Sequence, residues 1–175
     1  MPGLHDITVT ASMWASDGQY YLHGHEFDPT GFTYSGFNGL LAPLTPGNGI
    51  TTPGTFAIIL SGTETGPLTV TLELRATPPP SPALDPWDEI VEASLHLPEG
   101  DAFLIDAHDH TPFPSLSAYT GTPCRIRAHA RGRDNAHDLG IVETPVEEHL
   151  IQIWPASTTE LTEHKLTDQV GALSH

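Results

Sequence analysis

Apolar and polar residues alternate with a period of two through most of the chain, and helical periodicity is scarce. In 68–75, Leu68, Val70, Leu72 and Leu74 fall on one face, and Thr69, Thr71, Glu73 and Arg75 fall on the other. That is the pattern of a half-buried antiparallel strand. Residues 55–60 form a second strand, with 61–66 as the hairpin connection between the two. Residues 89–97 turn Val91, Ala93, Leu95 and Leu97 inward. A helix over 88–95 capped by Asp85 or Asp88 is the competing reading, and the alternation outweighs it. A Pro/Gly turn at 98–101 leads into a short strand at 102–105. The strictest alternation is in 125–133, and 149–154 closes the series before Pro155. Residues 7–14 and 19–27 are two further strands around Ser16, Asp17 and Gly18. About eight short strands punctuated by turns predict an all-β fold, an antiparallel β-sandwich, with a long Gly/Pro-rich loop.

That loop spans 28–54 and carries Phe32, Tyr34 and Phe37 among glycines, prolines and threonines. A second long loop covers 106–122. Residues 1–156 read as a single domain, because dividing the chain at the proline-rich connector 78–82 leaves halves too small to bury a good core. Residues 157–175 read as a tail, with Ser157 and Glu160 spaced as a capping box for a short helix. No internal repeat is visible.

Charge changes the picture most. Twenty-two acids stand against six Lys and Arg, a formal net charge of −16. No Lys or Arg occurs before Arg75 or between Arg75 and Arg125. Four of the six are Arg125, Arg127, Arg131 and Arg133. An acidic surface also serves solubility alone, but it repels nucleic acid and anionic lipid, and it attracts a cationic partner and speeds the encounter. The single cysteine, Cys124, excludes a disulfide framework. The first residues have neither a basic nor an apolar leader region, and no apolar run approaches a membrane span, so a cytoplasmic protein is expected.

Candidate chemistry is thin. His23 and His25 share a strand face, and His108 and His110 lie beside Asp106 and Asp109, so two His-x-His segments offer metal-ligand types without a known motif. Cys124 has Arg125 beside it, but its strand context points to packing. No activated-serine elbow is present. Neither an enzyme nor a resident cofactor or metal is expected. Arg125, Arg127, His129, Arg131 and Arg133 form a stripe on one strand face. Such a stripe needs acids on neighbouring strands, and Glu73, Glu92, Glu147 and Glu148 are available.

Three segments, 87–92, 127–134 and 146–155, resemble a group of uncharacterised actinobacterial β-domain proteins, which implies a compact β domain and no particular activity. The strand–turn–strand around Leu95, Pro98, Gly100 and Asp101, with a late apolar strand at 150–153, is similar to the competence protein J family of nuclease inhibitors. That similarity implies a protein that blocks a nuclease by binding it. The expectation is therefore an acidic cytoplasmic inhibitor or immunity-type protein whose partner is basic, a nuclease or toxin, and not nucleic acid or membrane. Asp101, Asp106, Asp109, Glu147 and Glu148 would pair with that partner, and Phe32, Tyr34 and Phe37 would anchor it. The alternative is a metal-binding protein or metal-dependent enzyme built on the His-x-His segments.

Overall fold

The computed structural model describes residues 4–24, 39–45, 49–50 and 53–173. Its strands are β1 (Ile7–Ala15), β2 (Gln19–Gly24), β3 (Leu41–Thr45), β4 (Gly49–Ile50), β5 (Phe56–Leu60), β6 (Gly66–Leu74), β7 (Glu89–Leu95), β8 (Ala102–Ile105), β9 (Cys124–Arg131), β10 (Glu148–Pro155) and β11 (Thr162–Leu166). Two short helices, α1 (Arg133–Leu139) and α2 (Gln169–Leu173), complete it. The strands form a six-stranded sheet, ordered β1-β6-β10-β9-β7-β11, and a five-stranded sheet, ordered β4-β3-β5-β2-β8. The fold is predominantly β, and neither sheet closes into a barrel.

The period of two places the core. Leu68, Val70, Leu72 and Leu74 of β6 are buried, and Met13 and Ala15 of β1 lie inward on the paired strand. They join Val91, Ile126 and Ile151 of the same sheet and Tyr20, Leu22, Ile59 and Leu104 of the other in one hydrophobic cluster.

Several connections differ from the sequence reading. Residues 61–66 do not make a hairpin: β5 belongs to the smaller sheet and β6 to the larger, so they carry the chain across the core. At 16–18, Asp17 and Gly18 both take left-handed φ (53° and 73°), and Ser16 and Gln19 exchange backbone hydrogen bonds of 3.2 Å. That is the primed turn an Asp-Gly pair favours, here passing the chain between sheets. The expected antiparallel pairing fails at the sheet centre, where β10 runs parallel to β6 from Glu148↔Thr69 to Ile153↔Leu74. The stretch expected as one long loop contains β3 and β4. Residues 25–27, expected to extend β2, lie outside the described residues, as do Phe32, Tyr34 and Phe37. Gly132, at φ 84°, ends β9 so that Arg133 opens a helix. In the expected tail, 157–160 are exposed and not helical, while β11 pairs with β7 and α2 follows.

Two buried polar groupings fasten these parts. In the first, the Tyr20 hydroxyl on the smaller sheet lies 2.7 Å from His149 Nδ1 on β10, and His149 Nε2 lies 2.6 Å from Glu147 Oε2. Glu147 Oε1 accepts the Thr63 N–H (2.8 Å), the Thr63 hydroxyl (2.9 Å) and the Gly62 N–H (3.0 Å). Burial works to raise the Glu147 pKa, but the charge and hydrogen bond of His149 and the Thr63 N–H hold it below the ordinary value. Gly62 is required here, because a Cβ would sit 1.9 Å from the Arg133 carbonyl oxygen.

The second grouping is Glu89, Arg133 and Asp168 under α2. Glu89 Oε1 accepts the Asp168 N–H (3.0 Å), and Asp168 Oδ1 accepts the Gly171 N–H (2.6 Å). Arg133 donates to the Gly39 carbonyl and faces Asp168 Oδ2 at 3.6 Å. Desolvation, then the charge of Asp168, push Glu89 from 4.5 up to about 7 against the opposing pull of its backbone hydrogen bond and of Arg133. Desolvation also raises Asp168, with Arg133 opposing and Asp134 adding to the rise.

Two outcomes follow for stability. Glu147→Gln removes a buried charge that four polar groups address and should cost about 2–4 kcal/mol in urea unfolding. The half-exposed neighbour Glu148→Gln should cost under about 1 kcal/mol. Second, a carboxyl whose folded pKa is raised stabilises fully below its free value, and that contribution fades as pH climbs through the folded one. Hydrogen exchange at α2, corrected for intrinsic rate, should therefore loosen between about pH 5 and pH 8. Glu89→Gln should flatten that dependence.

Candidate functional site: a tryptophan beside an acidic turn

The outward face of the larger sheet decides which charges reach solvent. Its register sets Glu73, Gln152, Arg127 and Glu92 in one row across β6, β10, β9 and β7, with His164 of β11 at the end. Gln152 Nε2 donates to Glu73 (2.7 Å), Arg127 Nη1 to Gln152 (3.4 Å) and Arg127 Nε to Glu92 Oε2 (2.8 Å). His164 Nε2 lies 2.5 Å from Glu92 Oε2, and Arg125 Nε donates to Oε1 at 3.1 Å. Burial works to raise the Glu92 pKa, and these three partners reverse it and hold it low.

Two non-strand segments of backbone roof the row. Arg125 donates to the carbonyls of Thr159 (3.2 Å) and Glu160 (2.7 Å), and Arg127 donates to that of Pro80 (2.9 Å). The stripe is thus an internal cross-strand ladder for Arg125 and Arg127. Arg131 pairs with Glu148 at 2.7 Å, and Arg133 leaves the stripe for α1. His129 is buried, and desolvation lowers its pKa to about 4, so it stays neutral at ordinary pH. Of the remaining cations, Arg75 faces Glu73 (3.9 Å) and Lys165 donates to the Leu84 carbonyl (3.0 Å). All six Lys and Arg side chains are therefore engaged by the chain itself.

Beyond the roofed rows the outward face is open. On β1, Thr8, Thr10, Ser12 and Trp14 point out, and Trp14 is 43% exposed. An open cleft of about 600 Å³ lies here, lined by Ser12, Trp14, Asp106, Asp109, His110 and Pro112 among others. Its acidic wall is built by Asp106, whose Oδ1 accepts the N–H groups of His108 (2.8 Å) and His110 (3.0 Å). Asp109 takes φ 61°, which an aspartate tolerates better than most residues, and that lets the chain reverse. Asp106 Oδ2 lies 4.0 Å from His110 Nδ1, and Asp109 and His110 stand exposed.

The expected partner-binding acids therefore divide. Asp109 and Asp106 both line the cleft, Asp109 exposed and Asp106 largely buried. Asp101 is exposed and accepts the Ser115 hydroxyl at 2.8 Å. Glu148 is half-buried and neutralised by Arg131, while Glu147 is enclosed and cannot touch a partner. Trp14 was not among the expected anchors. Its signal was legible: an outward position in a strand otherwise occupied by Thr and Ser.

Among the described residues, His23 is not gathered with His108 and His110 into a group that could hold a metal ion. His23 Nδ1 is 2.7 Å from the Gly24 carbonyl, and His25 lies outside the described residues. Among the described residues, no three His, Cys, Asp or Glu side chains are gathered as a metal ion would require. No helix among them is long and apolar enough to cross a membrane.

No protein-family model matches the chain, and no curated protein is similar to it. One solved structure is similar: a protein titled "Crocagin biosynthetic gene J", with a TM-score of 0.52 and 13% identity over 88% of this chain and all of that one. At that identity the likeness extends to the fold.

Cys124 is 1% exposed, and desolvation pushes its thiol up to about 12. A buried, protonated thiol is a poor nucleophile. Thiol titration should therefore find it unreactive in the native protein at pH 8 and fully reactive in denaturant.

Proposed function

We propose that this protein is an acidic, cytoplasmic binding protein of the inhibitor or immunity type that docks on a basic protein partner and occludes it. One observation carries the reading. Every Lys and Arg is engaged internally, three of the arginines in the interior, while Asp17, Glu64, Glu99, Asp101, Asp109 and Glu143 remain at the surface. The solvent-facing charge is thus more one-sided than composition requires. Such a field accelerates encounter with a positive surface and rejects polyanions.

A nuclease or a toxin that handles nucleic acid is the partner class that fits, because a phosphate-binding cleft is itself basic. The two sheets read as a sandwich, a rigid platform that requires little reorganisation on docking. The resemblance read from the sequence at 95–101, the strand after it and 150–153 to the competence protein J nuclease inhibitors suggests the same partner class, and we take the Trp14 cleft as the docking point.

Titration against a panel of basic nucleases, with a pull-down from the native host, tests this. At least one partner should bind, with its association rate falling roughly tenfold or more between about 20 mM and 500 mM salt. If every complex found is indifferent to salt, or none forms, the reading fails.

A further inference from the structure

The chain has three tryptophans, Trp14, Trp87 and Trp154. Two of them share one arrangement. The Arg131 guanidinium carbon lies 5.0 Å from the Trp87 ring centre while its Nη2 binds Glu148 at 2.7 Å. The Arg127 guanidinium carbon lies 5.4 Å from the Trp154 ring centre while its Nε binds Glu92 at 2.8 Å. Each is a guanidinium held between an indole face and a carboxylate, a geometry that a planar, weakly hydrated cation suits better than an ammonium does.

Trp14 has the same neighbours with the cation missing. It lines the cleft with Asp106 and Asp109, and among the described residues no Lys or Arg lies over its ring. Nor has the chain a spare one to offer. Arg75, Arg125, Arg133 and Lys165 are held by Glu73, Glu92, Asp168 and the Leu84 carbonyl. Pro67 pairs with Trp14 on the adjacent strand, and Pro112 borders the cleft, so the indole is flanked by apolar surface that leaves its charge selectivity to the aspartates. His110 also lines the cleft, and its side chain is 83% exposed.

We propose that the Trp14 cleft receives an arginine side chain from the partner, which completes in trans the tryptophan–arginine–carboxylate arrangement that the chain builds twice for itself. This rests on the basic-partner reading above and specifies its contact point. Trp14 supplies the ring face, Asp109 and Asp106 Oδ2 supply the carboxylates, and the surrounding negative field supplies encounter rate. Lysine fits less well, because its compact, strongly hydrated ammonium cannot stack on the ring and bond two carboxylate oxygens together.

The test uses the full chain and two fluorescein-labelled probes, an Arg-Gly repeat peptide and its Lys-Gly counterpart, followed by anisotropy at low salt. The arginine peptide should bind roughly threefold to tenfold more tightly and perturb indole fluorescence. Trp14→Ala and Asp109→Asn should each abolish that preference with the fold retained by far-UV circular dichroism, and Asp109→Asn should leave thermal unfolding unchanged, since that side chain is exposed and Asn tolerates the left-handed backbone at 109. Glu64→Gln, an exposed acid away from the cleft, should preserve it. Equal binding of both peptides, or an arginine preference that survives Trp14→Ala, overturns the cleft assignment while leaving the basic-partner reading standing. Absence of salt-sensitive binding to either peptide overturns both.

Discussion

Glu92 holds two guanidinium groups and an imidazole on one carboxylate, and the character of the surface follows from that concentration. A cation withdrawn from water must find an anion and satisfied donors, or the desolvation cost stands uncompensated. Arg125 and Arg127 meet that condition with Glu92, with Ser94, Gln152 and Thr162, and with carbonyls of the roofing segments. The chain draws Arg125 and Arg127 into this layer and Arg133 under α2, and it pairs Arg75, Arg131 and Lys165 nearer the surface. What remains facing solvent is the unmatched majority of its acids. Internal stability and external potential are thus two sides of one allocation of charge.

The same acids secure the end of the chain. β11 is an edge strand with little apolar surface, and β-propensity alone would leave it marginal. The His164–Glu92 contact and the arginine bonds to Thr159, Glu160 and Thr162 fix it against β7. Glu89 and Asp134 accept the N–H groups that begin α2. β11 is therefore part of the larger sheet, although the composition of 157–173 resembles that of a loose tail.

What the sequence made legible is what depends on local period. β1, β6, β9 and β10 could be read directly, because each alternates and half of each lies in the core. The inward phase of His149, Ile151 and Ile153 also places Glu147 inside and Glu148 outside, so their different fates were readable once the strand was recognised. Sheet membership was not readable, since nothing in 61–66 distinguishes a hairpin from a passage between two sheets. β3 was hidden because its buried run from Leu40 to Leu44 does not alternate, and Pro43 argues against an interior strand. In the candidate site, the acids of 106–109 were visible as charge. Their meeting with Trp14 depends on the segment after β8 folding back beside β1, a contact between residues nearly a hundred positions apart.

The parallel ladder between β6 and β10 has a consequence for how the protein comes into being. β6 ends at Leu74 and β10 begins at Glu148, so the middle of the larger sheet is sealed by a segment made only after β7, β8 and β9. As the chain leaves the ribosome, β1 and β6 have each other, but the far side of β6 stays a bare row of donors and acceptors while β7, β8 and β9 emerge. The nascent protein must stay unentangled through that interval. Glu73, the charged side chain on the outward face of that waiting strand, is suited to discourage neighbouring chains from annealing to it.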